Sequence, residues 1–169
     1  ALTRAGRESR APRRPTPMET WVAQKSRALA MPAEAKSGVN PIGNGPEVLA
    51  GGRAHWADHC FSCHANDGSG DTALGKSLYP PAPDMRLPAT QQLTDGELFY
   101  IIQNGIRLTG MPAWGTGTAK DEEDSWQLVH CIRHLPDVPR EGKKPMEKMN
   151  PKHADERAEE QEETKVLRG

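Results

Sequence analysis

Large apolar side chains are scarce in this sequence. Leu, Ile, Val and Phe together supply 25 of 169 residues, and there are only two Phe and two Tyr. That share is below the roughly 20% at which disorder becomes an alternative for a highly charged chain, but a net charge of −1 argues against disorder throughout. Long hydrophobic runs are also missing. The longest near the middle is Leu98-Phe99-Tyr100-Ile101-Ile102, far short of the ~20 residues a membrane-crossing helix needs. No alternating strand pattern and no internal repeat is visible. Cysteine is limited to three residues, and an odd number excludes a pure disulfide framework. The first residues carry no recognisable secretory leader. Beginning at Ala1, the chain reads as mature or as cut from something longer.

What apolar content there is clusters. Seventeen of the 25 residues fall between Glu47 and Leu135, with three of the four Trp. The expected organisation is therefore a basic, Pro-rich N-terminal arm or linker over 1–46, one compact domain over 47–136, and a charged C-terminal arm over 137–169. A domain that small often needs a staple, a metal or a cofactor to bury enough surface. Charge divides in the same way. Residues 1–36 hold eight Arg or Lys against three Glu, a balance of +5, whereas 37–136 hold six basic against eleven acidic residues, a balance of −5. A basic arm on an acidic domain points to a membrane surface or an acidic partner as readily as to a solvated linker. No nucleic-acid partner is expected.

The periodicity predicts helices alone. Met18 to Ala30 has the makings of a short amphipathic helix. A firm helix should start after Pro46 and run to His64, stopping near the turn signal Asn66-Asp67-Gly68. Residues 67–92, rich in Gly and Pro, read as a long loop wrapped on something. Thr94-Asp95-Gly96-Glu97 has capping-box spacing and opens a helix to about Gly105, with Leu98, Ile101 and Ile102 as its apolar stripe. The last helix begins in Asp121-Glu122-Glu123-Asp124, where negative charge suits a helix N-terminus, and stops at Pro136.

The chemistry is concentrated in His59-Cys60-Phe61-Ser62-Cys63-His64. On a helix, Cys60, Cys63 and His64 stand at i, i+3 and i+4 and project from one face. Three uses compete. Zinc would need a second ligand pair, which Cys131 with His130 or His134 would have to supply. A thioredoxin-like dithiol needs a strand before the motif and a βαβ setting, and neither is visible. Covalent haem matches C-x-x-C-H directly: two sulfurs bond the edge of a planar ligand while the imidazole reaches its metal. His59 is about 100° around the helix from its neighbour and reads as a bystander.

Haem iron takes a second axial ligand or stays open. Among six Met, four lie in the arms and Met85 is only 21 residues after His64. Met111, in Gly110-Met111-Pro112-Ala113-Trp114-Gly115, is held between a Gly and a Pro that would stiffen its loop. Met111 is therefore the expected ligand and Met85 the alternative.

These elements together carry a resemblance. Gly52-x3-Trp56-x3-Cys60-x2-Cys63-His64, then Gly75-x2-Leu78, Asn104-Gly105-Ile106-Arg107 and Gly110-Met111-Pro112-Ala113-Trp114, resemble the monohaem class I cytochromes c of bacteria over roughly residues 47–136. The resemblance implies an all-α fold of three to four helices around one covalently bound haem c, with terminal helices crossing at Gly52 and Trp56. It implies thioether links at Cys60 and Cys63, and iron held by His64 and Met111. Many relatives carry a Pro whose carbonyl meets the ring N–H of the His ligand. Lys76 occupies that position here, so its backbone carbonyl is the expected partner. Arg86, Arg107 and Trp114 are the candidate propionate donors, and Cys131 reads as a small buried hydrophobe. A six-coordinate iron favours one-electron transfer between redox proteins over enzyme chemistry, and the chain is not expected to be an enzyme. The alternative is a haem enzyme or ligand-binding cytochrome with a labile Met site. Haem attachment in bacteria implies the periplasm or the outer face of the membrane, and the arms favour a place in a membrane respiratory or photosynthetic complex.

Overall fold

The computed structural model describes residues 15–137. They form eight α-helices, one π-helical turn and one 3-10 turn, and no strand occurs among the described residues. This is the all-α architecture expected for a class I cytochrome c. The expectations for residues 1–14 and for most of the C-terminal arm fall outside the described residues.

Two helices set the frame. α3 (Pro46–His55) opens with Pro in its first turn, where the missing N–H leaves no bond unmade. α8 (Ala119–His134) is capped by Thr118, whose side chain accepts the Asp121 N–H. Asp121 and Glu122 in its first turn and Arg133 and His134 in its last complement the helix dipole. The pair crosses at Gly52, where a Cβ would come 2.3 Å from the Gln127 carbonyl oxygen. Trp56 closes the crossing, almost fully buried with Leu128, Val129, Cys131, Ile132 and Leu135. Leu98 and Ile102 reach the same core from α7 (Asp95–Asn104), whose Thr94/Glu97 capping box is fully formed. Gly52→Ala should therefore destabilise the protein by about 1–3 kcal/mol, because the clash is with backbone that cannot rotate away. Chemical denaturation of the holoprotein measures this; wild-type stability would mean that α3 can lift off α8 freely.

Two features differ from the sequence reading. The helix expected over 46–64 is interrupted by a π-helical turn, Trp56–Cys60, before α4 (Phe61–His64). The loop 67–92 contains α5 (Ala73–Ser77) and α6 (Pro88–Gln91) and is stitched down at both ends. Arg86 spans Asp84 and buried Asp67, and the Gln91 amide donates to the carbonyls of Met85 and Ile132.

Packing also begins ahead of residue 47. α1 (Pro17–Ala30) is capped by its own Thr16/Glu19 box, and α2 (Ala33–Ser37) lies against α7. Met31 between them is buried. The Gly96 N–H donates to the Gly38 carbonyl at 3.1 Å, and a Cβ on Gly96 would stand 2.2 Å from the Ala35 carbonyl oxygen. Asn40 donates to the Trp126 carbonyl, and the His130 ring meets the Ile42 carbonyl. Part of the segment read as a linker is thus built into the domain surface.

Candidate cofactor site

The motif is presented by the π turn. Its wider backbone loop, closed by the Phe61 N–H on the Trp56 carbonyl, ends at Cys60, the cap residue just before α4. Trp56 Nε1 then donates to the Ala65 carbonyl at 3.0 Å and fixes the far end of the motif against the core. The following loop folds back underneath. The Thr72 hydroxyl donates to the Ser62 carbonyl at 2.7 Å, and Gly75 packs so closely on the Cys63 carbonyl that a Cβ would come within 2.2 Å of it.

Cys60, Cys63 and His64 line one side of a cavity of about 630 Å³ whose walls are mostly apolar. Met111 lines the same cavity from the loop after α7. That loop is tied to the helix it leaves: Ile106 N–H donates to the Met111 carbonyl, Trp114 N–H to the Ile102 carbonyl, and Gly115 N–H to the Gln103 carbonyl. Gly105 permits the return, with φ +66° and the Met111 oxygen 2.7 Å from where a Cβ would be. The remaining walls come from the stretch Leu78–Pro83, from Ile106 and Trp114, and from one face of α1.

Burial governs titration here. It pushes the Cys60 thiol up to about 12, with Cys131 and Cys63 beside it adding to the effect, although Cys60 keeps some exposure. Cys131, also buried, is raised to about 12 and packs in the core. Burial lowers the His64 pKa, and the Pro83 carbonyl opposes it in part. Even so, His64 Nδ1 is buried without a hydrogen bond of regular geometry, so the Pro83 contact is a loose one.

His55 is likewise lowered by burial, then by His59, with Asp124 and Asp58 opposing. The unfolded chain therefore binds more protons than the folded one. This contribution is complete above the ordinary His value of about 6.5 and is lost as pH falls from there through the depressed folded value. Melting temperatures of the holoprotein should accordingly fall between about pH 7.5 and about pH 5, and His55→Gln should flatten the slope. An unchanged slope in the variant would contradict this assignment.

Several expected site residues are elsewhere. The backbone carbonyl that acts on the His64 ring is that of Pro83, not that of Lys76. Lys76 lies inside α5, its side chain exposed and paired with Asp71, while the Ala82 N–H bonds the Gly75 carbonyl and brings Pro83 alongside the motif. Arg86 is off the cavity because buried Asp67 and Asp84 claim its guanidinium. Arg107 is exposed and also off the cavity. Met85 packs against the core instead of lining the site. Trp114 does line it. His59, expected to be a bystander, is a lining residue too, its ring 4.7 Å from Trp114 and paired with Asp58. In the π turn the usual angular step per residue does not hold, so its side chain reaches the rim. The sequence offered no signal for two further lining residues, Glu19 and Arg27 of α1.

Among the described residues, no group of three or more His, Cys, Asp and Glu is placed to hold a metal ion by itself. His130 and His134 face carbonyls, and Cys131 is in the core, so the second ligand pair that zinc requires is not assembled. A family model described as "Cytochrome C oxidase, cbb3-type, subunit III" matches residues 47–132. The chain belongs to this family. Its matched segment is a c-type cytochrome domain, and such domains serve haem-based electron transfer. No curated protein matches the chain. The family implies haem c, with Cys60 and Cys63 as possible attachment sites. The residues present fit that group: a largely apolar cavity with two thiols, an imidazole and a thioether on its walls. No helix among the described residues is long and apolar enough to cross a membrane.

Proposed function

We propose that this chain is a monohaem electron carrier that passes one electron at a time between redox proteins. Its iron is held by His64 and Met111, and the porphyrin edge is bonded through Cys60 and Cys63. The observation that carries this reading is the meeting of Met111 with the Cys60–His64 motif at one apolar cavity, from segments 47 residues apart. Haem supplies a reversible one-electron centre when bound. The protein's part would be to hold the iron through His64 and Met111, exclude water and tune the potential, which a neutral thioether ligand beside an imidazole ligand would raise. Saturated iron leaves no position for a substrate, which makes this a carrier and not an enzyme.

The family supports membership in a membrane oxidase complex, with the domain on the periplasmic side. The basic excess of residues 1–36 over an acidic domain suits docking to such a complex. Exposure of the reduced protein to carbon monoxide tests the axial assignment. The carrier should keep its spectrum unchanged, whereas rapid formation of a carbonyl complex would instead favour a ligand-binding cytochrome.

A further inference from the structure

α1 presents two unlike faces. Met18, Trp21 and Leu29 are exposed to solvent, while Glu19, Thr20, Ala23, Gln24 and Arg27 line the cavity. This inner face is the more polar, the reverse of a helix docked for its hydrophobicity. Apart from the bonds to its own cap at Thr16, only one side-chain hydrogen bond joins α1 to the rest of the described structure, from the Tyr79 hydroxyl to Glu19 at 3.1 Å. Yet Arg27 is the one residue of α1 that is not exposed.

Its guanidinium makes no hydrogen bond or ion pair with any described residue. A half-buried, unpaired cation against an apolar wall lacks the partner that would compensate its lost hydration. Two other side chains on the cavity, Glu19 and His59, are already engaged. Glu19 accepts from the Thr16 N–H and the Tyr79 hydroxyl, and His59 faces Asp58. Arg86 and Arg107, the arginines that sequence alone put forward, do not line it.

Building on the haem reading above, we infer that Arg27 is the cation that pairs with the propionate carboxylates of the bound cofactor. α1 is then not a tether but a strap, fastened to the domain through the cofactor. A planar guanidinium suits this task, since it can meet a carboxylate with two parallel N–H bonds. Two consequences follow from electrostatics. A cation beside the haem favours the reduced iron, so its loss lowers the potential. Without it, the carboxylates hold their protons to higher pH, so the potential varies more steeply with pH near neutrality.

The test uses the full-length holoprotein with Arg27→Gln, Arg27→Lys and Lys25→Gln, the last removing an exposed charge of the same helix that does not line the cavity. Redox potentials are measured across pH, and amide hydrogen exchange is followed over residues 17–30. Arg27→Gln should lower the potential, steepen its pH dependence, and reduce protection of 17–30 roughly tenfold, the factor carried by one charged hydrogen bond of ordinary strength. Arg27→Lys should recover part of each effect, and Lys25→Gln should match wild type. An Arg27→Gln protein that keeps covalent haem and behaves as wild type overturns this inference alone. Faster exchange with an unchanged pH profile also overturns it, since Arg27 would then fasten α1 to something other than the carboxylates. A wild-type protein without covalent haem overturns both this inference and the reading on which it rests.

Discussion

Replacing Cys60 and Cys63 together by Ala should yield a chain with no covalently bound haem and no stable domain. The reason lies in the balance between a thin core and a large void. The buried core is eight residues, Trp56 among them, and none of them lines the cavity of about 630 Å³. Without the cofactor the apolar walls of that cleft lose the atoms packed against them and face water, and a small domain with so few buried side chains has little surplus to offset the loss. Collapse of the walls would recover part of it only by displacing the loops that carry Met111 and Pro83. The double variant should therefore lose most of its helical circular dichroism and its cooperative melt. Either single variant, with one thioether left, should keep both at reduced stability. A double variant that melts cooperatively with native-like helicity would show that the protein core suffices without the cofactor.

Met111→Ala should have the second largest effect, and an opposite character. On the proposed attachment through Cys60 and Cys63, haem should stay bound and the helices folded. On the proposed ligation, the iron would lose a protein ligand and the potential should fall by a sizeable part of the ~0.8 V that haem ligation spans. The weak long-wavelength band of thioether-ligated ferric iron should vanish, and carbon monoxide should now bind the reduced protein. Met85→Ala is the control. Because Met85 packs against the core and not the cavity, it should reduce stability and leave the spectrum alone. An unchanged spectrum in Met111→Ala would remove Met111 from the iron.

Local rules made much of this legible. The box at Thr94 and Glu97 predicts the start of α7, and the structure forms both of its hydrogen bonds. The family resemblance, not a local rule, put a helix crossing at Gly52 and Trp56, and the structure forms it there, since a Cβ on Gly52 would stand 2.3 Å from the Gln127 carbonyl oxygen. Long-range geometry was harder to read. No residue type announces a π turn, so the side chain of His59 could not be placed on the cavity rim from helical spacing. The partner carbonyl of His64 moves from Lys76 to Pro83 because the bond between Ala82 and Gly75 redirects the loop, a contact that sequence separation does not encode. Arg86 looked free in sequence, although Asp84 two residues before it was a visible competitor; buried Asp67 was not. Arg27 was invisible for a different reason. The segment around it has too few apolar residues to be read as docked, and its inward face is polar.

The central claim is that Cys60 and Cys63 hold haem covalently, and acid–acetone extraction followed by an optical spectrum tests it most directly. The account predicts that the colour stays with the precipitated protein and that its spectrum is that of a c-type haem with both vinyl groups saturated. Colour passing wholly into the acetone, or a protein with no haem absorption and bound zinc in its place, would contradict it.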